Sequence, residues 1–383
     1  MDIKIKKNIS FEDIDLNYKI LNKFKNVNLV ISKDLQINKF GIQSELILLF
    51  ITWFRKSNGK LILNTKSIES SALDDFVNKH YNFSIITLAF NRGIYNLDKL
   101  NISNEIVPFI KRKLNEIESN LFWGKGDHSY IIALQKSLNP YPKAFYHNGK
   151  LKSKADFENL ASYLISISIQ TKNLSNKDDN RLLDSLPVVG QIVYELIENT
   201  HYWSLTDFNN EEIGDGYGLR NLLISNHHGD LEELVKGAKD DDFFSAYLSN
   251  LKNQGYSNIV EISVIDSGCG LASKYSNKAI ENFANFSEVY DEIQNCLVKF
   301  HSSEKESPYT RGFGLHTIME LLSEKTGYLK LRTNGLKLYR DFNKNKFEGN
   351  NYVLDNYFEN EVNYNFKKYL NEGTLFTFFI PLK

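Results

Sequence analysis

The chain reads as an α/β protein. A small α/β domain is expected at residues 1–135, a helical connector at 136–182, and a larger two-layer α/β sandwich at 183–383. Three observations predict that order. The early segments alternate between strand and helix periods. The polar stretch TKNLSNKDDN, Thr171 to Asn180, carries no apolar period and marks a boundary. Beyond it, an amphipathic helix opened by Pro187 precedes two strand-like segments, VEISVID ending at Asp266 and LFTFFIPL ending at Leu382.

Taken in order, residues 26–35 alternate as a strand, 42–57 as a helix, and 59–64 as a second strand. A helix near Ser70 to His80 and a third strand at Phe83 to Phe90 complete the small unit. Residues 103–120 read as a helix with Ser103 as a candidate N-cap, although Pro108 can kink it or delay its start. Another helix, at about 154–172, shows Phe157, Leu160, Leu164 and Ile167 at helical spacing. It belongs either to a connector or to extra helices packed on the N-terminal domain.

Bulk properties exclude several classes. With 383 residues the chain exceeds a usual single core, so two or three domains are expected. A hydrophobic share of 42% with 24% charged residues is that of a folded globular protein. The net charge of −1 gives no electrostatic argument for nucleic acid or anionic membranes. Two cysteines are too few for a disulfide framework, which fits a reduced cytoplasmic setting. The most apolar run, Leu46 to Phe54, is far shorter than the roughly 20 residues a membrane span needs.

Chemistry is concentrated in the C-terminal half. On the helix after Pro187, residues Val189, Ile192, Val193, Leu196 and Ile197 form an apolar face, while Gln191, Glu195 and Asn199 recur four apart on another. A carboxylate and a carboxamide one turn apart can act on one ligand. VEISVID ends in Asp266, followed by Gly268 and Gly270, where an aspartate can accept from an amine and glycines let a ring approach the backbone. Gly312, Gly314 and Leu315 open the helical sequence HTIMELLSEKTG, the arrangement of an anion site at a helix N-terminus. Taken singly, the first reads as a polar surface stripe, the second as an ordinary DSG turn, and a short glycine pair alone is a weak signal.

In this fixed order, ELIEN, DSGCG and GFGL, closed by GTLFTFFIPL from Gly373, resemble the GHKL nucleotide-binding family of DNA gyrase, the ninety-kilodalton heat-shock chaperone, histidine kinases and MutL. The resemblance covers about residues 183–383 and implies a Bergerat-type sandwich that binds ATP with magnesium. It implies that Asn199 coordinates the magnesium, that Glu195 activates or orients water, and that Asp266 accepts from the adenine amine, with Gly268 and Gly270 beside it and Thr374 supporting it. Gly312, Gly314 and Leu315 then match the second glycine box.

The stretch from Leu271 to Arg311 has the make-up of that family's phosphate lid, with Ser302, Ser303, Lys305 and Arg311 as candidate phosphate partners. Segments 206–255 and 336–372 exceed the family's usual connections and read as insertions. Asp240 to Asp242 within the first is a candidate cation cluster, with a solvated charge run as the better reading. His316 has an alternative as a phosphate donor, although such histidines are mostly structural.

Two functions follow from the resemblance. One is an ATPase or protein kinase of the GHKL class in signalling or regulation. The other is a non-catalytic module whose ATP-driven lid closure recruits a protein partner through the N-terminal domain or the insertions. An orthodox histidine autokinase is disfavoured, because His80, His128 and His147 lack the acid and proline context of a phosphoacceptor. Signalling relatives are commonly dimers, so a homodimer is compatible, while the substrate is not legible.

Overall fold

The computed structural model describes all residues except 36, 38–39, 126–127, 135–139, 171–185, 214–217, 257, 299–313, 350, 359–363 and 383. The polar boundary at Thr171–Asn180 lies outside the described residues, as do Ser302, Ser303, Lys305, Arg311 and Gly312.

The protein is a mixed α/β structure built on an N-terminal parallel sheet and a larger antiparallel one. Strands β1 (Asp2–Lys4), β2 (Asn28–Ile31), β3 (Leu61–Leu63) and β4 (Ile94–Tyr95) pair in parallel in the order β1-β2-β3-β4. They are joined through helices α1 (Phe11–Leu21), α2 (Ile42–Lys56), α3 (Ser70–Val77) and α4 (His80–Ala89). Right-handed crossovers between sequential neighbours place every crossover helix on one side of the sheet. Accordingly α2 packs between α1 and α4. Ser10 and Asp13 close a capping box at the start of α1.

Phe83 to Phe90, expected as a strand, is mostly the helix α4. Every α4 residue is buried, so no polar face betrays the helical period, and a short apolar run of this kind is ambiguous in sequence. Ser103 likewise is not a cap. It is the first residue of α5 (Ser103–Asn120), which runs through Pro108, and its hydroxyl accepts from the Ile94 amide at 2.9 Å.

Among the described residues the larger sheet has eight antiparallel strands. Its order is β13 (Asp355–Asn356), β12 (Leu336–Asp341), β11 (Tyr328–Thr333), β14 (Thr374–Leu382), β10 (Asn258–Asp266), β9 (Leu219–His228), β6 (His128–Leu134) and β5 (Trp123–Lys125). A small hairpin, β7 (Tyr146–His147) with β8 (Lys150–Leu151), stands apart. Strands β5 and β6 precede the expected boundary at 135, yet they pair into this sheet through β9. Strand β9 in turn lies inside the segment read as an insertion at 206–255. Only its helices α8 (Leu231–Gly237) and α9 (Asp242–Asn253) interrupt the sheet connection. The second insertion, 336–372, supplies β12 and β13, which extend the sheet edge.

Alternation divides this sheet into two buried faces. Leu222, Ile224, Val260, Ile262, Val264, Leu329, Leu331, Phe376 and Phe378 share a core with α6 (Lys154–Gln170), α7 (Leu186–Trp203), α11 (Phe286–Leu297) and α12 (Gly314–Glu324). Helix α6 packs against α7 and β9, which places it over the larger sheet. The opposite face, with Leu219, Leu223, Ile265 and Leu375, packs on α2 and α4, and Ile259, Tyr328 and Phe379 on α9. The larger sheet is therefore covered on both sides, where a two-layer sandwich was expected.

The face turned toward the N-terminal unit also buries charge. Arg332 of β11, 1% exposed, pairs with Asp15 of α1 at 2.7 Å and with Glu45 of α2 at 2.6 Å. Burial alone lowers its pKa, but the two carboxylates outweigh burial and hold it raised. Two residues away, Lys330 pairs with Asp241 at 2.7 Å. Asp241 also caps α9 and accepts from Tyr357. The Asp240 to Asp242 run is thus no solvated cluster, since its central member is buried and paired.

Removing one member of a buried ion pair costs about 3–5 kcal/mol, because the remaining charges stay desolvated. Arg332→Leu is expected to destabilise the protein by that order in guanidinium unfolding. A change within about 0.5 kcal/mol, the surface range, would show that the cluster does not hold the two sheets together.

Candidate functional site

Side chains from distant segments converge at one end of the larger sheet. Its register sets Asp266 opposite Arg220 on β9 and opposite Thr374 on β14, and Thr374 opposite Thr333 on β11. By alternation all four side chains project from the face that carries α7 and α12. Strand pairing alone thereby assembles a row of Arg220, Asp266, Thr374 and Thr333.

Gly373 makes the close pairing at that row possible. Its φ is +85°, and a Cβ there would lie 2.0 Å from the Asp266 carbonyl oxygen. The Gly373 amide donates to the Gly268 carbonyl at 2.8 Å. Asp266 Oδ1 accepts from the Gly268 amide at 2.7 Å, and the Thr374 amide and hydroxyl also favour its charged form. Burial outweighs these donors and the nearby Arg220, so the Asp266 carboxyl is pushed up to about 6.

The second glycine is fixed from the other side. Gly270 has φ +87°, and a Cβ there would lie 2.4 Å from Asn334 Oδ1. Asn334 accepts from the Ala272 amide at 2.9 Å and donates to the Cys269 carbonyl at 3.0 Å, while Thr333 Oγ1 accepts from Leu271. Gly270 thus serves the fit between the glycine loop and the β11–β12 turn. Burial pushes Cys269 up to about 12, which keeps its thiol protonated at neutral pH.

Helix α7 runs along this site. Near its C-terminal end, the Trp203 carbonyl lies 2.8 Å from where a Gly268 Cβ would be, and the Ser204 carbonyl accepts from Ser267 Oγ at 3.3 Å. One and two turns back lie Asn199 and Glu195, both half-buried. There they meet the start of α12: a methyl added at Gly314 would sit 2.7 Å from Glu195 Oε2 and 3.6 Å from Asn199 Nδ2. Burial, then neighbouring Glu198, raises the Glu195 pKa. Leu315 packs at the border of the core under α12. Two oxygen-bearing side chains beside a helix N-terminus can hold a hard cation and an anion together, so the donor set fits magnesium at Asn199. Among the described residues no group of three or more His, Cys, Asp or Glu is placed to hold a metal by itself.

The structure therefore brings Glu195, Asn199 and Gly314 together, and joins Asp266, Gly268 and Thr374 one to two turns further on, at the C-terminal end of the same helix. Several contributors escaped the sequence reading. Arg220, 4% exposed, donates to Tyr146 Oη at 2.5 Å and to the Pro140 carbonyl at 3.0 Å, and Tyr146 meets His201 at 2.9 Å. Lys274 donates to Thr206 Oγ1, the Asp207 carbonyl and Asn210 Oδ1, tying the loop after α7 to α10 (Leu271–Ser276). Arg220 could have been found only from strand parity, whereas Asn334 sits in a visible TNG turn.

The histidines are held in other contacts. His316 meets Tyr352 Oη at 3.1 Å and Glu320 at 3.3 Å, His80 pairs with Gln43, and His128 with Ser225. His147 is exposed on the small hairpin. No helix among the described residues is long and apolar enough to cross a membrane. No family model, curated protein or solved structure matches the chain.

A carboxyl whose folded pKa lies above its unfolded value binds its proton more tightly when folded. Its contribution is therefore present below the unfolded value and lost as pH rises through the folded one. For Asp266 that window runs from 3.8 to about 6. Asp266→Asn, which keeps an acceptor for Gly268, is expected to stabilise the protein at neutral pH by about 1–3 kcal/mol. The gain should vanish near pH 4. Urea unfolding at both pH values checks this, and a loss of stability at neutral pH would overturn the burial assignment.

Proposed function

We propose that the larger unit binds an adenine nucleotide with magnesium along α7, on a Bergerat-type fold of the GHKL class, and hydrolyses ATP or passes its terminal phosphate to a protein. The observation that carries this reading is that one helix holds Glu195 and Asn199 against Gly314 in its C-terminal half and abuts Gly268 at its C-terminal end. The eight helical steps from Glu195 to Trp203 span about 12 Å. That length suits a ligand with a base at one end and phosphates at the other.

Each residue's role follows from its chemistry. Asp266, when ionised, accepts from the exocyclic amine of adenine and repels the oxygen that guanine carries there. Thr374 and Gly268 orient that carboxylate. The amides at the start of α12 face anionic phosphate oxygens, favoured by the helix dipole. Asn199 offers a neutral oxygen to magnesium, which when bound would neutralise charge on the phosphates. Glu195, its pKa raised by burial, is suited to take a proton from water, since a base closer to neutrality accepts it more readily.

A second reading, an ATP-gated binding module without turnover, is favoured by the N-terminal unit lying against the back of the same sheet. Turnover separates the two. Asp266→Ala should weaken ATP binding roughly tenfold in calorimetry, the effect of losing a buried hydrogen-bonded acceptor. Asn199→Ala should impair magnesium-dependent binding and turnover together. Glu195→Ala should leave affinity within a few fold while slowing hydrolysis on the order of 10²-fold. Normal turnover by Glu195→Ala would remove the hydrolytic role, and unchanged binding by Asp266→Ala would remove the base assignment.

A further inference from the structure

The N-terminal unit reaches the base end of the site through its helices. Segment 368–372 leads directly into Gly373 and Thr374, and α1 and α2 hold it from behind. Asn22, which ends α1, donates from Nδ2 to the carbonyls of Leu370 at 2.9 Å and Lys368 at 3.3 Å. The Asn22 carboxamide is itself fixed, because its Oδ1 accepts from Lys56 of α2 at 2.6 Å. Thr52 of α2 is fully buried, and its Oγ1 accepts from the Glu372 amide at 3.1 Å while donating to the Leu48 carbonyl.

The held segment then braces both strands of the row. Asn371 Oδ1 accepts from the Gly335 amide at 3.0 Å, and its Nδ2 donates to the Gly373 carbonyl at 2.9 Å. Gly335 follows Thr333 and Asn334, which fix the glycine loop, and Gly373 packs against Asp266. A continuous run of hydrogen bonds thus leads from α1 and α2 to the residues around Asp266. No element of the N-terminal unit is needed to close the larger sheet at this point, yet its side chains take up the backbone groups there.

We propose that Asn22 and Thr52 are positioning residues for the base end of the nucleotide site, so that the N-terminal unit sets affinity for the base and is affected by base binding in return. This rests on the nucleotide reading given above. The phosphate end, built by α7 and α12, lies outside the run, so the two ends of the ligand should respond differently.

The experiment uses the full chain and two probes, ATP and inorganic tripolyphosphate, each with magnesium, in calorimetry. Asn22→Ala and Thr52→Val each remove one hydrogen-bonding group and should weaken ATP binding roughly three- to tenfold, the effect of about one such bond. Tripolyphosphate binding should stay within twofold. Thr52→Ser keeps the hydroxyl and should restore ATP affinity. Hydrogen exchange at the Glu372 and Gly335 amides should quicken in Thr52→Val.

Equal losses for both probes would mean a general loss of folded protein and would overturn the proposal. So would unchanged ATP affinity in both variants, or unchanged exchange at Glu372 and Gly335. If wild type binds no ATP, the nucleotide reading itself falls and this role falls with it. If wild type binds and only the variants behave alike with it, this role alone is wrong.

Discussion

A guanidinium buried between two carboxylates holds the structure in one arrangement. Arg332 cannot stay charged in a dry interior without Asp15 and Glu45, and those acids come from different helices of the N-terminal unit. The pair fixes how α1 and α2 lie on the larger sheet. Alternation along β11 does the rest: with Lys330 and Arg332 committed to that side, Leu329, Leu331 and Thr333 must face the other. One strand therefore carries both the seam between the two units and a wall of the candidate site.

At the site the limiting factor is space between backbones. Strands β10 and β14 remain paired up to Asp266 and Thr374, and only a residue without a side chain can precede Thr374 at that separation. The resulting enclosure works against the charge on Asp266 while the amides of Gly268 and Thr374 support it. Such a carboxyl gives up its proton at a higher pH than a free one, and each added hydrogen-bond donor favours its charged form. Glu195, two turns back along α7, is likewise raised, first by burial and then by neighbouring Glu198.

How much of this was legible depends on whether a residue acts through a local pattern or through a distant neighbour. The helix at α7, the strands at β10 and β14 and the glycines beside Asp266 follow local periods and turn chemistry, so these elements could be placed in advance, whereas the roles given to Glu195, Asn199, Asp266 and Thr374 come from the motif resemblance. Helix α4 could not be assigned correctly, because a helix buried all round shows no period. Strand β9 was hidden for a different reason. Its central part, Leu219 to Asn226, is buried on both faces, and buried polar residues Arg220 and Asn221 break its apolar run. Arg220 matters only because register sets it opposite Asp266, and register is a property of three strands together. Asn22 and Thr52 have no local mark at all, since their partners lie at the far end of the chain.

That last separation bears on how the protein is made. Asn22 and its partner Leu370 are 348 positions apart, and Thr52 and Glu372 are 320 apart. A growing chain exposes the N-terminal helices first, long before the segment that satisfies them has been synthesised. Until then α2 presents an apolar surface, and the acids Asp15 and Glu45 stay in water without the cation of β11. Closing these contacts costs the entropy of loops of 348 and 320 positions, a separation that generally slows folding. Strand β14, which follows directly on the segment held by Asn22 and Thr52, is thus the one whose pairing lets both units lock.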